Sequence, residues 1–343
     1  MSKVSSLDDF KTLIQAGLNN NDKSLGAFGK LSIPQPKAYL IETNRKTTEV
    51  GCPLGSWKPL DSSSGWYVNS DERESDSLFL DATSDRVWKI YSILDVEKSD
   101  YLIEDWVKRT KGLDHCWLTR KHLLRWEKIA GWDQRGIGVK FLDGLSSIED
   151  ASTFSLKAWH KADERLPGLD KIIKIAKENF AISSIRWENR STELIAEWYS
   201  TGKVTINRAV DVEDILLLTT EMAIKYQEDL TEATGLRDSK MGAFEIDFSQ
   251  RVDLDAFSAK VEQGIGTMKL WLMETETRPD FRRFRGVDMH NWDRVMLDVG
   301  PNYAYLTIPG RGCVNAAPRI ASVQGLDNAG KTAIMFDGVE VFG

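Results

Sequence analysis

The chain has 343 residues, of which 41% are apolar, 28% charged and 10% aromatic, the proportions of a folded globular protein rather than of a disordered or fibrous one. Its formal charge of −7 at pH 7 excludes a surface that adheres everywhere to nucleic acid or to an anionic membrane, so any such contact has to be local. The length exceeds that of one typical compact core and favours two or more domains.

The first 150 residues predict one helix, a loop-rich segment and then a module of strands and helices. Apolar residues recur at helical spacing over residues 5–18, whereas residues 19–75 are rich in Asn, Ser, Gly, Pro and charge and predict loops with a few short strands. The runs SLFLD, VWKIYSIL and GVKFLDG predict strands. Two helices, over Ser99–Lys111 and Thr119–Ile129, are expected to form a compact helical hairpin.

Residues 151–238 have the clearest order of elements, which is β-α-β-β-β-α. The strands are predicted in FSLKAW, AISSIRW, ELIAEWY and KVTIN, with one helix starting at Pro167 and a long amphipathic helix from Asp211 to Gly235. The hairpin WYSTGKVTI and the long helix after it resemble the second half of a TATA-binding-protein-like repeat, over Glu193–Thr234. That resemblance implies an architecture and carries no function.

The last hundred residues are rich in strands. Strands are predicted in AFEIDF, MKLWLME, FRRFRGVDM, RVMLDVG and YAYLTIP, with helices over Leu254–Gln263 and Pro318–Gln324. The predicted fold class is therefore α+β, built from several small modules of antiparallel sheet packed with helices. The predicted modules cover residues 1–75, 76–150, 151–238 and 239–343.

One segment matches the phosphate-loop pattern GxxxxGK[ST]. It is GLDNAGKT at Gly325–Thr332, and it resembles the corresponding loop of Arf-family small GTPases over these eight residues. The 11 residues after it predict a strand pair turning at Asp337-Gly338, which leaves no room for the parallel strands that such a loop serves. The pattern therefore predicts a turn. A nucleotide-binding enzyme or sensor using Gly325, Gly330, Lys331 and Thr332 is kept as an alternative.

Positive charge is concentrated in two places within this acidic chain. Residues 106–128 hold seven basic and two acidic side chains, interleaved with three tryptophans. Residues 278–294 hold five arginines and three aspartates around Phe281 and Phe284. Such mixtures of cations and aromatic rings are typical of surfaces that pair with phosphate and stack on bases, and equally of solvated faces with internal ion pairs. The predicted nucleic-acid-binding residues are Lys108, Arg109, Lys111, Arg120, Lys121, Arg125, Arg282, Arg283 and Arg285.

Two further groupings could support chemistry. Asp288 and His290 alternate along a predicted strand, where a carboxylate and an imidazole could hold a metal or act as a base, but a satisfied or exposed histidine is the favoured interpretation. Glu193, Glu197 and Lys203 could form a nuclease-like set, although two glutamates on one strand face are more typical of solvent exposure. No coherent catalytic motif emerges, and we expect no metal and no cofactor.

Twelve tryptophans and local basic surface, without a catalytic set, favour a binding role. The sequence predicts a non-catalytic subunit that contacts DNA, RNA or a nucleic-acid-processing protein; a purely structural protein–protein interaction subunit is a further alternative. The N-terminus lacks the features of a secretory signal and no apolar run approaches the roughly 20 residues of a membrane span. A soluble, cytoplasmic protein without membrane contacts is therefore expected, and the three separated cysteines predict neither a disulfide framework nor a zinc site.

Overall fold

The computed structural model describes most of the chain and divides it into two compact units. The described residues are 4–19, 35–60, 65–69, 77–142, 153–160, 167–179, 181–248, 251–263, 269–322 and 333–343. Unit 1 comprises Met1–Cys116, Trp126–Asp133 and Trp187–Lys225. Unit 2 comprises Trp117–Arg125, Gln134–Arg186 and Tyr226–Gly343.

The predicted α+β class is confirmed, because the described residues form seven α-helices and 18 strands arranged in antiparallel sheets. The helices are α1 (Leu7–Asn19), α2 (Val96–Arg109), α3 (Arg120–Leu124), α4 (Leu169–Asn179), α5 (Val212–Ser239), α6 (Leu254–Gln263) and α7 (Ala316–Ala321). The strands are β1 (Lys37–Thr43), β2 (Trp57–Pro59), β3 (Trp66–Asn69), β4 (Leu78–Asp81), β5 (Val87–Ser92), β6 (Leu113–His115), β7 (Trp132–Leu142), β8 (Thr153–Trp159), β9 (Ile182–Asn189), β10 (Leu194–Tyr199), β11 (Lys203–Arg208), β12 (Phe244–Asp247), β13 (Leu270–Arg278), β14 (Phe281–Asp288), β15 (Asp293–Val299), β16 (Tyr303–Thr307), β17 (Ile334–Phe336) and β18 (Val339–Val341).

Unit 1 is built on a sheet whose strands follow the order β2-β3-β4-β5-β1-β11-β10, with β6 also paired to β1. Every residue of β1 and β5 is buried, as expected for central strands. Helix α2 packs on this sheet through Ile103, Trp106 and Val107, which join a core that includes Tyr39 and Trp88. Burial of these large side chains stabilises unit 1.

The expected helical hairpin at 99–129 is wrong. Strand β6 lies between the two helices and pairs with β1, with Leu113 opposite Thr43 and His115 opposite Ile41. Gly112, at a φ of 81°, makes the turn from α2 into β6, a backbone conformation that glycine adopts without steric cost. The second helix is also shorter than predicted, since α3 gives way to a 3₁₀ turn at Arg125–Lys128.

The β-α-β-β-β-α order predicted for residues 151–238 is present as β8, α4, β9, β10, β11 and α5. Helix α5 does not end at Gly235 but continues to Ser239, and beyond the glycine Arg237 donates a hydrogen bond to the backbone oxygen of Gly312. The likeness of this hairpin and helix to a TATA-binding-protein-like repeat stays a prediction. The division of the chain into four modules also stays a prediction.

Unit 2 contains a strand set in the order β9-β7-β8 and a seven-stranded sheet in the order β13-β14-β15-β16-β12-β17-β18. We call the second of these the C-terminal sheet. Its last two strands turn at Asp337 and Gly338, whose φ angles of 50° and 77° are those that a tight hairpin requires. The turn predicted at these two residues is confirmed.

Among the helices in the described ranges, none combines the length and apolar character needed to cross a bilayer.

Candidate nucleic-acid interface

Side chains of the C-terminal sheet alternate between its two faces. On β13, Leu270 and Leu272 are buried, whereas Trp271 is 59% exposed and Met273 is 55% exposed. An antiparallel sheet with one face on the core and the other in solvent produces this alternation. The C-terminal sheet therefore has an inner face and an outer face.

Helices α6 and α7 cover the inner face. The ring of Phe284 on β14 packs edge-on against Phe257 of α6, with ring centroids 5.7 Å apart. Arg282, two residues earlier, forms an ion pair with Asp255 of the same helix. Arg282 therefore lies on the inner face, on the opposite side of β14 from Arg283 and Arg285.

The outer face carries arginines, methionines and aromatic rings. Strand register places Trp271 beside Val287 and Val287 beside Arg294; in the next row Met273 lies beside Arg285 and Arg285 beside Met296. We use the term outer face for the side chains of Trp271, Met273, Glu276, Arg283, Arg285, Val287, Arg294, Met296, Asp298 and Tyr305. A Cβ added to Gly286 would collide with the Trp271 carbonyl, so this glycine permits the close approach of β13 and β14.

The charge of the outer face is uneven. Arg283 donates hydrogen bonds from Nε and Nη2 to the two oxygens of Asp298, each at 2.7 Å, and Nη1 also lies 3.1 Å from Glu276. Hydrogen bonding to Asp298 raises the pKa of Arg283 above its usual value and offsets its positive charge. Within the described part of the chain, no carboxylate pairs with Arg285 or Arg294. The uncompensated positive charge therefore lies in the two neighbouring rows of side chains that contain Trp271, Met273 and Met296.

A turn rich in polar side chains adjoins this cationic end. It joins β14 to β15 and includes Trp292, which has a φ of 66° and is 63% exposed. Asp288 supports the turn: its backbone oxygen accepts a hydrogen bond from Trp292 N–H at 2.6 Å, and its Oδ1 accepts from His290 N–H at 2.9 Å. Arg319 of α7 pairs with the same Oδ1 at 2.8 Å. Asp288, His290 and Arg319 are all fully buried.

In this geometry Asp288 has a structural role, because its side chain holds the turn between β14 and β15. The sequence pattern suggested that Asp288 and His290 share a strand face, but β14 ends at Asp288 and His290 lies in the turn. Because Oδ1 of Asp288 is held by a guanidinium and a backbone N–H, that oxygen is engaged in positioning the turn. A metal or base role for this pair stays an alternative.

The predicted basic residues at 108–125 belong to both units. Lys108, Arg109 and Lys111 are exposed near the end of α2 in unit 1, and Arg109 pairs with Asp105 one turn earlier at 2.8 Å. Arg120 and Lys121 belong to unit 2, where Arg120 donates to the backbone oxygen of Lys177 at 2.7 Å and Lys121 contacts Glu340 at 2.5 Å. Arg125, also in unit 2, is partly exposed at the start of the 3₁₀ turn. Their predicted role in nucleic-acid binding stays a prediction.

The nuclease-like set is not assembled as expected. Glu193 lies in the turn before β10, at a φ of 54°, and pairs with Arg208 at 2.6 Å. Glu197 is buried rather than exposed to solvent. Lys203 contacts Asp100 of α2 at 2.6 Å. The three side chains therefore have different surroundings, because the strand begins one residue after Glu193.

Lys203 instead belongs to a polar cluster that the sequence did not indicate. Tyr39 donates to Asp100 Oδ1 at 2.6 Å, and Lys37, two residues earlier on β1, donates to the backbone oxygens of Leu94 at 2.5 Å and Gln35 at 2.8 Å. Burial, reinforced by the charge of Lys203, lowers the pKa of Lys37 to about 8. The sequence does not indicate that Lys37 is buried, because this lysine follows a loop-rich segment and belongs to no motif.

The lowered pKa of Lys37 predicts that stability depends on pH. The folded chain releases this proton near pH 8, whereas an unfolded chain holds it up to the ordinary value of 10.5, so the unfolded state binds more protons between these limits. The free energy of unfolding should therefore rise with pH over this range through Lys37, by about 2 kcal/mol after solvent screening. Urea unfolding of the parent and of Lys37→Met at pH 7.5, 8.5 and 9.5 measures the effect. Equal pH slopes for the two proteins would contradict it.

The GLDNAGKT segment, with Gly325, Gly330, Lys331 and Thr332, lies outside the described residues. The sequence pattern predicts Arg283 and Arg285 as binding residues but does not predict Trp271 or Trp292. The alternation in LWLM was a signal for Trp271, whereas nothing local distinguished Trp292.

Comparison with known proteins shows the family of this chain. The family model described as "MJECL33-like protein" matches residues 1–327. A relative from Methanocaldococcus jannaschii, "Uncharacterized protein MJECL33", is 21% identical over 346 aligned residues that cover 83% of this chain and 82% of the relative. No solved structure matches the chain. Because the family model spans nearly the whole chain, this protein belongs to the MJECL33-like protein family.

Proposed function

We propose that this chain is a non-catalytic binding subunit whose outer face binds nucleic acid. One observation carries the proposal: Arg285 and Arg294 have no carboxylate partner among the described residues and lie in the two rows of the outer face that hold exposed Trp271, exposed Met273 and half-buried Met296. In an acidic chain with many ion pairs, two uncompensated guanidiniums on one exposed face are available to an anionic partner.

The chemistry of these side chains matches that of a nucleic acid. A guanidinium pairs with phosphate oxygens through two parallel hydrogen bonds, and an indole or a thioether packs against the face of a base. Arg283 is offset by Asp298 and Glu276, so the phosphate contacts belong to the end of the face that holds Arg285 and Arg294. This restricted area is compatible with the net charge of −7.

Binding measured at two ionic strengths tests the proposal. Fluorescence anisotropy with labelled single-stranded DNA, single-stranded RNA and duplex DNA should show affinity that falls steeply between about 50 and 200 mM salt. The double variant Arg285→Gln/Arg294→Gln should bind about 10-fold more weakly at low salt and show a smaller salt slope, by about 0.7 for each lost phosphate contact with a single strand.

The control removes the same charge elsewhere in unit 2. Arg251 and Arg311 are exposed and lie outside the outer face, so Arg251→Gln/Arg311→Gln should bind like the parent. Lys108→Gln/Lys111→Gln tests the predicted basic residues of unit 1 in the same assay. A loss confined to that variant would move the interface to α2, and no binding at low salt would remove the proposal in favour of a protein partner.

A further inference from the structure

Trp292 is exposed in a backbone conformation that bulky residues rarely adopt. Its φ of 66° falls in the left-handed region, where Gly, Asn and Asp are found far more often than a bulky aromatic residue. Its indole is 63% exposed, so burial of the ring does not offset the unfavourable backbone. Backbone strain of this kind persists only where the surroundings hold it, and it is concentrated at functional sites.

Buried polar contacts hold the turn that carries Trp292. Besides the contacts to Asp288, the N–H of Met289 donates to the backbone oxygen of Lys269 at 2.7 Å. Arg319 connects the turn to α7 through Asp288. A fully buried ion pair is a costly way to support a surface turn, which indicates that the position of the turn matters.

Strand register places this turn at the same end of the sheet as Trp271. Asp288, the last residue of β14 before the turn, lies opposite Leu270 on β13 and opposite Asp293 on β15. Trp271 directly follows Leu270 and Arg294 directly follows Asp293, so both lie close to the turn. Trp271, Arg285 and Arg294 thus lie at the end of the outer face that adjoins the turn with Trp292. Two exposed indoles with two uncompensated cations have the composition of a single-strand-binding surface.

We propose that Trp271 and Trp292 stack on unpaired bases, so that the outer face selects single-stranded over double-stranded nucleic acid. This inference rests on the proposed function. Bases inside a duplex are covered on both faces by their neighbours, and an indole can reach them only after they are unstacked. Bases of a single strand expose their faces to the ring. Because every base has such a face, the selection is for strandedness and tolerates changes of sequence.

Aromatic substitutions test the stacking directly. The probes are labelled 20-nucleotide single strands of DNA and RNA and a 20-base-pair DNA duplex, measured at one low ionic strength. The parent should prefer the single strands, and Trp271→Ala and Trp292→Asn should each weaken single-strand binding by about 10-fold or more while leaving duplex binding unchanged. Trp271→Phe should retain most of the affinity, because a phenyl ring still stacks.

The variants are chosen to keep the fold. Asn tolerates a positive φ, so Trp292→Asn removes the indole without adding backbone strain, and circular dichroism should show parent-like unfolding. The matched control is Trp159→Ala, which removes an indole that is 42% exposed on β8, outside the outer face. This control should bind like the parent.

The outcomes separate this inference from the proposed function. Equal affinity of the parent for single strands and duplex, with no loss in Trp271→Ala or Trp292→Asn, would overturn stacking while salt-dependent binding through Arg285 and Arg294 still stood. Absence of binding by the parent to all three probes at low salt would remove both proposals together. A preference for single strands that Trp159→Ala abolishes would assign the stacking to a different surface.

Discussion

Replacing Arg319 by Met should lower the free energy of unfolding by about 3 to 5 kcal/mol, because it leaves the carboxylate of Asp288 buried without its cation. The guanidinium and the carboxylate lie 2.8 Å apart and both side chains are almost completely inaccessible to solvent. Methionine has a similar length and is apolar, so the lost charge dominates over lost packing. Chemical unfolding followed by circular dichroism measures the loss.

A second substitution checks that explanation. In Arg319→Met/Asp288→Asn no charge is left buried, and the amide oxygen can still accept from His290 N–H, so part of the stability should return. The two effects should be clearly non-additive, since the residues are in direct contact. A loss below about 1 kcal/mol in Arg319→Met would show that Asp288 is solvated or neutral, and the account of the Trp292 turn would then fail.

Truncating Trp198 to Ala should cost about 3 to 5 kcal/mol in unit 1, through a cavity that its neighbours cannot fill. The Trp198 side chain is fully buried on β10, and its ring stacks on Trp126 with centroids 5.6 Å apart. Trp187 also packs on Trp126, at 6.5 Å. Removing one of two large rings that both pack on Trp126 leaves a substantial void.

Trp198→Phe is the graded comparison for this prediction. It keeps an aromatic ring and leaves a smaller cavity, so its loss should be well under that of Trp198→Ala. Trp66 is a second comparison, because its ring also stacks on another ring, that of Tyr91 with centroids 5.8 Å apart, but the residue is only partly buried. Trp66→Ala should therefore lower the free energy of unfolding by less than Trp198→Ala. Equal losses at Trp66 and Trp198 would contradict the assignment of Trp198 to a tightly packed core.

Periodicity in the sequence determined most of the elements. Strong patterns predicted the helix at Leu254–Gln263 with its observed bounds, the β-α-β-β-β-α order of β8 to α5 and the turn at Asp337-Gly338. These succeed because each depends on interactions between residues close in the chain, namely helical or strand alternation and the backbone preference of a turn pair. The α+β class follows from the order of those elements.

Local sequence patterns failed to predict elements whose structure depends on contacts with residues that are distant along the chain. Strand β6 forms because Leu113 and its neighbours pair with β1, some 70 residues earlier in the chain. No propensity within Gly112–Cys116 indicates a strand rather than a helical connection. In the same way α5 continues past Gly235, where Arg237 donates a hydrogen bond to the backbone oxygen of Gly312, a residue 75 positions later in the chain.

The candidate interface shows the same division. Composition alone identified arginines and aromatic residues at 278–294, and alternation along β14 separates Arg282 from Arg283 and Arg285. Which of these cations stays uncompensated depends on strand register, since Asp298 reaches Arg283 from β15 whereas Arg285 lies between Met273 and Met296. The position of Trp292 depends on Arg319, which approaches Asp288 from another element. The sequence by itself determined the secondary-structure elements and the residue types of the outer face. Only the tertiary structure decided which charges are paired, because pairing across strands and helices joins residues that are remote along the chain.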